Sequence, residues 1–428
     1  MQTEGTAATT TSAAGRYYGW VVAWTAFAVL TVAYGVQYCF GVFLPFIQED
    51  LDVSRTRATL AFAVYVFVYS ALSAASGWLT DRKGPRFVLV LGAGFLGVGY
   101  LLASRAQNAT QLTLVLGFVA GVGMSAAFVP CNATVVRWFL HRRGRALSIS
   151  TSGSSFASIV IPFAMGAVVD RFGWRTLYVV GAGLAAATLL IGSRLIYRDP
   201  AAKGLVVEGE LGGRPAPTGA GSTPRTTSLD LRQASRTIDF WLIVGLFLFT
   251  WLVVFIPLVH LSPYVKDAGA SSTVGAWLVS LIGVGGLGGR LLSGSVSDRL
   301  GRLPTLTATL LMQIVSFVVF SATTSIAVLL PAAALFGMGY GGSTVLFPAL
   351  AGDRFGPGHA GAIVGAVFAG AGSLGAFGPY VAAWIHDTTG AYTWAFLVAA
   401  LANALSVLFV VGLWLSARRP AVASVATA

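Results

Sequence analysis

Few side chains in this sequence can do chemistry, and Arg290 carries the most information. It follows Gly288-Gly289 inside the apolar run near 272–296. At 1.5 Å per residue it lies about 12 Å from Asp298, near the midplane if the run crosses a bilayer. An arginine there costs roughly 2.5–3.5 kcal/mol on insertion scales, so it needs a partner. None of the 15 Asp and Glu residues lies in the interior of a long apolar run; they fall in loops, tails or run ends. A guanidinium is a planar fork that matches a carboxylate bidentately, which makes an exchangeable organic anion the natural partner. The competing reading is an arginine that snorkels toward water or bonds helix-end carbonyls.

Other candidates are less specific. His260 lies between Pro257 and Pro263 near the end of its run, and its ordinary pKa, about 6.5, suits a substrate or proton role; a packing role is the alternative. Phe128-Val-Pro130-Cys131-Asn132 and Gly339-Tyr340-Gly-Gly-Ser343-Thr344 interrupt two further runs. Gly and Pro there free backbone groups and let side chains turn toward a cavity. Asn132, Tyr340 and Thr344 can hydrogen-bond a hydroxyl, keto or carboxylate oxygen, or simply join helices. Tyr34, Gln37 and Tyr38 fall on successive turns of the first run. The Gly-rich fifth and eleventh runs, such as Gly361–Gly378, read as packing seams. Cys39 and Cys131 sit in apolar stretches, which excludes a disulfide framework and argues against a metal. No Gly-x-x-x-x-Gly-Lys-[Ser/Thr] segment is present, so neither a nucleotide nor another cofactor is expected.

The elements that position these residues follow from composition. Of 428 residues 56% are hydrophobic and only 10% charged, against about 25% charged in soluble domains. An all-α integral membrane protein is the reading that remains. The first run, from Tyr17 to about Phe46, is too long for a signal-peptide core and reads as a retained span. Apolar runs of membrane-crossing length fall near 17–46, 58–79, 86–104, 111–136, 146–169 and 174–197. A second six fall near 238–264, 272–296, 303–322, 327–351, 360–385 and 391–416. Of the 27 Lys and Arg residues, alternating spans put 20 on the side of both termini and six on the other, with Arg290 inside a span. The positive-inside rule then makes both termini cytoplasmic. The net charge of +12 reflects this topology and contact with anionic lipid, not a nucleic-acid partner.

The organisation is bipartite. Residues 1–16 form a polar tail, 17–197 and 238–416 two six-helix bundles, and 417–428 a second tail. The stretch 198–237, with Gly, Pro, Ser and Thr gathered in 204–236, reads as a flexible cytoplasmic linker. Gly77-Trp-Leu-Thr-Asp81-Arg82-Lys-Gly84 recurs as Gly294-Ser-Val-Ser-Asp298-Arg299-Leu-Gly301 at an offset of 217. The same offset pairs Arg137 with Arg354, Gly144 with Gly361, Gly153 with Gly370, Pro162 with Pro379 and Asp170 with Asp387. Such repeats imply two bundles related by a pseudo-twofold axis along the membrane normal, with a cleft between them. Asp81, Arg82, Asp298 and Arg299 close the second and eighth spans, where they can gate one side of that cleft or merely fix topology.

Gly77-x-Leu-x-Asp81-Arg82-x-Gly84-x-Arg86 resembles the loop motif of the major facilitator superfamily between its second and third spans. Within it the chain is similar to the monocarboxylate and oxalate–formate transporter branch. That likeness rests on Tyr18-Gly19-Trp20 with Ala26-Phe27 and Tyr34, and on Arg290. It also rests on Trp138-Phe139-x-x-Arg142-Arg143-Gly144-Arg145-Ala146 through Gly153 and Pro162 to Phe172-Gly173-Trp174-Arg175. The resemblance implies that Arg290 binds a substrate carboxylate. Where the animal carriers have a span-one lysine and a span-eight aspartate, this chain has Tyr38 and Gly286. A substrate-contacting tyrosine of bacterial relatives reads Phe128. Carboxylate binding survives these departures; the animal-type proton relay does not.

The reading is therefore a monomeric secondary transporter of a small organic monocarboxylate in a bacterial-type inner membrane, by alternating access and proton symport. Anion exchange, drug-type export and carboxylate sensing without transport are the alternatives. The exporter lacks a membrane-embedded carboxylate, and the sensor lacks a cytoplasmic output domain. No paired carboxylates or activated nucleophile at membrane depth point to an enzyme.

Overall fold

The computed structural model describes residues 17–139, 143–206, 229–355 and 360–417. A few helical side chains, those of Asp81 and Asp298 among them, lie outside the described set, as does 207–228 of the expected linker. The described residues form helices and no strand, and twelve helices are long and apolar enough to span a membrane. One half contains α1 (Gly19–Leu51), α2 (Arg55–Thr80), α3 (Pro85–Ala103), α4 (Ala109–Val135), α5 (Ile149–Gly166) and α6 (Val169–Leu195). The other contains α7 (Ile238–Asp267), α8 (Ser272–Ser297), α9 (Arg302–Ala322), α10 (Ile326–Phe355), α11 (Gly365–Thr389) and α12 (Thr393–Ser416). With twelve spans, Tyr17 and Ala417, the first and last described residues, lie on one face, here the terminal face; the opposite one is the distal face. The spans coincide with the apolar runs of the sequence. α1 and α7 run further than expected, to Leu51 and Asp267, because Pro45 and Pro263 are accommodated within the helix.

Gly and Pro set where helices break. α4 carries a π-helical stretch, Thr113–Ala120, then a turn at Ala126 and Ala127 before Phe128. α11 carries a π-helical stretch, Phe368–Gly372, then a turn at Ala376 and Phe377. Such interruptions inside a membrane are tolerated where the freed backbone groups face protein or a water-filled cavity.

A continuous close seam joins α8 to α10. A Cβ added at Gly285 would strike the carbonyl oxygen of Ala334, one at Gly289 that of Met338, one at Gly337 that of Ile282, and one at Gly341 that of Gly286. Only glycine permits this backbone contact. The seam expected in the fifth span is present, with Gly153 against the Phe27 carbonyl of α1. In α11 the expectation holds in part: Gly375 and Gly378 abut α7, but Gly365 and Gly370 face open space.

The repeated loop motif has a backbone cause. Beyond their spanning parts, the α2 helix runs on to Lys83 and is capped by Gly84 with φ 88 and ψ 159, and the α8 helix runs on to Leu300 and is capped by Gly301 with φ 90 and ψ 159. That region is essentially closed to residues with a Cβ. Each glycine turns the chain straight into the next helix, α3 or α9, so the two halves share a corner as well as a sequence.

Candidate functional site

Arg290 faces the cleft between the halves, held by the glycine seam that precedes it. Its Nη1 donates across to α5, to the Thr151 carbonyl at 3.1 Å and the Ser154 hydroxyl at 2.8 Å. Ser154 in turn donates its own proton to the Thr151 carbonyl at 2.9 Å, which leaves an oxygen lone pair for the arginine. Nε is buried with no hydrogen-bond partner, and Arg290 makes no ion pair among the described residues. The unpartnered Nε edge is the one that accepts a carboxylate side-on. Sequence reasoning missed Thr151 and Ser154. The signal was available in Ser150-Thr151-Ser152-Gly153-Ser154-Ser155, an unusual density of hydroxyls inside a span.

Aromatic side chains surround this charge. The Tyr340 ring centroid lies 6.0 Å from the Arg290 Cζ, at the limit of a cation–π contact. The Arg290 charge also acts on the phenols of Tyr34 and Tyr38, whose rings lie 5.9 Å apart. Tyr34 meets Phe128 edge-on at 6.3 Å, and Tyr340 lies 6.3 Å from Trp251. A cavity of about 660 Å³ runs from Tyr34 and Tyr69 past Phe128 and Phe368 to Trp78 and Leu231. Trp78 closes α2 and Leu231 precedes α7, so the cavity leads from mid-bundle toward the terminal face. A smaller space of about 130 Å³ adjoins it, lined by Phe128, Phe247, Trp251, Thr344, Phe347 and Phe368.

Five residues proposed from sequence thus gather with Arg290: Tyr34, Tyr38, Phe128, Tyr340 and Thr344. Asn132 does not join them. Its Nδ2 donates to the Phe128 carbonyl at 3.1 Å and its Oδ1 accepts from Ser150 at 2.6 Å, so it ties α4 to α5.

His260 stands elsewhere, fully buried near the distal face. Its Nε2 lies 2.8 Å from the Pro379 carbonyl, which can only accept, so Nε2 carries the proton. Nδ1 then accepts from the Tyr392 hydroxyl at 2.8 Å. Burial pushes the Tyr392 phenol above its ordinary pKa and keeps it a donor. The same hydroxyl accepts from Arg55 of the other half at 2.9 Å. Arg55 also grips Asp267 through both Nη atoms, at 2.7 and 3.1 Å, and donates Nε to Gln48 at 2.8 Å. Beside it the Thr56 N–H donates to Asp387 at 2.9 Å, and across the pseudo-axis Ser272 donates to Asp170 at 3.1 Å. The distal face is therefore sealed between the halves, with Gly41 of α1 packed on the Leu258 carbonyl of α7 beneath it.

At the terminal face the described polar contacts run within one half. Arg86 donates to the carbonyls of Ile196 and Arg194, Arg302 pairs with Asp353 at 3.3 Å, and Arg354 pairs with Asp239 at 2.7 Å. Of the four expected gating residues, the Asp81 and Asp298 side chains lie outside the described set. Arg82 rests 5.4 Å from the Trp78 ring, and Arg299 is exposed.

Comparisons bear on what such an arrangement does. A profile of the Major Facilitator Superfamily matches residues 26–379. Human monocarboxylate transporter 11 is 29% identical over 284 residues, 66% of this chain and 57% of that protein. An agnestins efflux protein of Paecilomyces divaricatus is 28% identical over 279 residues, 64% of this chain and 59% of that protein. The chain thus spans little more than half the length of these two relatives. A bacterial homologue of the human lysosomal transporter Spinster, solved inward-facing and occupied, superposes with a TM-score of 0.69 at 14% identity. That match covers 94% of this chain and 97% of the other, and it shows the fold.

Proposed function

The chain belongs to the major facilitator superfamily, and from that footing we propose that this multi-pass membrane transporter carries a small organic monocarboxylate by alternating access. One observation carries the reading: Arg290 bridges the two halves at mid-bundle with Nη1 anchored on Thr151 and Ser154 and its buried Nε unpartnered. A half-buried cation at membrane depth, with no counter-ion among the described residues, favours an anion that arrives, pairs bidentately and leaves. Tyr34, Tyr38 and Tyr340 bring phenol donors to the same region for the remaining carboxylate lone pairs.

Both termini are cytoplasmic in this reading, given the 20 to six distribution of basic residues, and the membrane is of the bacterial inner type. The sealed distal face and the cavity toward the terminal face support assigning this arrangement to the inward-open state. Outward opening requires Arg55 to release Asp267 and Tyr392, while Asp81, Arg82, Asp298 and Arg299 close the inner side. Release of Arg55 uncovers Tyr392 and His260 to outside water, so His260 takes up a proton only from that side. Symport then requires His260 to pass that proton to the carried acid before the distal face reseals, so that the substrate's own carboxyl group releases it on the inner side. An anion entering against an inside-negative potential is opposed by about 2.3 kcal/mol per 100 mV, which a co-transported proton cancels.

The test is uptake into proteoliposomes. Wild-type protein should take up a labelled monocarboxylate saturably, and Arg290→Ala, inserted equally well, should not. Saturable uptake by Arg290→Ala at unchanged affinity would overturn the reading.

A further inference from the structure

The ring-lined space of about 130 Å³ that lies beyond Tyr340 from the arginine is larger and drier than a two- or three-carbon acid needs. Phe247 stacks on Trp251 at 4.9 Å, meets Phe347 edge-on at 4.9 Å and lies 5.6 Å from Phe368, while Trp251 meets Phe368 at 5.3 Å. These rings present faces and edges in the tilted pairings that aromatic guests extend. Thr344 supplies a hydroxyl, but its proton is committed to the Tyr340 carbonyl at 2.9 Å. The side-chain polar atoms of its lining residues are the Thr344 oxygen and the Trp251 Nε1, which has no hydrogen-bond partner; the rest is hydrocarbon, so the space favours a largely apolar occupant. Its two gatekeepers come from opposite halves, Phe128 from α4 and Phe368 from α11, and both also line the larger cavity. From Arg290 the route runs over the Tyr340 ring to Trp251, steps of 6.0 and 6.3 Å. A tail reaching the rings from a carboxylate on Arg290 must cross one ring width.

We infer that the carried monocarboxylate bears an aromatic tail on a short spacer, seated among Phe128, Phe247, Trp251, Phe347 and Phe368 while its carboxylate meets Arg290. This rests on the carboxylate reading above and narrows it to aryl-alkanoates. Closing the halves brings Phe128 and Phe368 onto opposite sides of the ring, so the tail contributes to binding in the occluded state as well.

The experiment is calorimetric titration of the full-length purified protein with 3-phenylpropionate, propionate and 3-phenylpropionamide. Burying a phenyl-sized group should make 3-phenylpropionate bind roughly 10- to 100-fold tighter than propionate. Phe347→Ala and Phe368→Ala should each lower that affinity about tenfold. Where an alanine variant does not survive purification, Phe347→Leu or Phe368→Leu keeps the volume and removes the ring. An undiminished preference for 3-phenylpropionate in the variants tested would overturn the assignment of these rings. If propionate binds as tightly as 3-phenylpropionate, and Arg290→Ala abolishes both, the aromatic tail is wrong and the carboxylate reading stands. If the amide binds as tightly as the acid and ignores Arg290→Ala, the carboxylate reading fails and takes this inference with it.

Discussion

Asp170 and Asp387 stand 217 residues apart, and each reaches out of its own half to the first turn of the second helix in the other. The carboxylates meet α8 and α2 at their positive ends, where an anion is stabilised by typically 0.3–1 kcal/mol. The exchange is reciprocal, so distal closure draws on the same device twice, with Arg55 added on one side. Neutralising the device should loosen that face. In a background lacking Cys39 and Cys131, a cysteine at position 38 should be labelled severalfold faster from the distal side in Asp387→Asn and Arg55→Ala. Unchanged labelling in both variants would remove the locking role.

Arg290 should trade stability for function. Arg290→Lys should lose saturable uptake almost as completely as Arg290→Ala, because an ammonium lacks the bidentate fork. Arg290→Met should melt at a higher temperature than wild type, since it removes a midplane charge that costs roughly 2.5–3.5 kcal/mol. A lower melting temperature for Arg290→Met, measured on purified protein, would show that the bonds to Thr151 and Ser154 outweigh that cost.

The corners at Gly84 and Gly301 make a paired prediction. Alanine at either position is forced into a backbone region it rarely adopts, at a cost of about 1–3 kcal/mol. Thermal melting should register both losses. Gly94→Ala and Gly183→Ala, which meet open space within helices, should be neutral or stabilising by comparison. Equal behaviour of all four variants would refute the backbone explanation of the repeated motif.

Coupling can be read from vesicles. An imposed inward proton gradient should accelerate monocarboxylate uptake into vesicles that contain no substrate, and His260→Gln should lose that acceleration. Acceleration that persists in His260→Gln assigns the proton to the substrate's own carboxyl group. Uptake confined to preloaded vesicles and indifferent to pH would identify an exchanger instead.

Much of this architecture is legible in the residues. Span positions follow from apolar runs alone, because a bilayer imposes helix length and forbids unsatisfied backbone. The repeat fixes which spans correspond, and even the pairing of Asp170 with Asp387 is visible before any coordinate. Arg290 is conspicuous because charge at membrane depth is costly. The sequence is silent about which way a side chain on a helix turns. Asn132 and His260 look equally available on paper, yet Ser150 engages one and Pro379 and Tyr392 the other. Arg55 looks like an ordinary loop charge until packing brings Asp267 and Tyr392 to it from more than 200 residues away. Partners that distant in the chain leave no local pattern.

The contact between α8 and α10 has a kinetic meaning. Helices that meet backbone to backbone have no side-chain cushion to slide on, so Arg290 and Tyr340 travel as one piece whenever the transporter changes state. Whatever that wall contributes to recognition is then the same whichever side of the membrane the cleft faces. The rank order of competing acids at this wall should be identical for influx and efflux, and only absolute affinities should differ. Asymmetry between the two directions has to arise on the opposite wall, where α5 lets go of the guanidinium through Thr151 and Ser154.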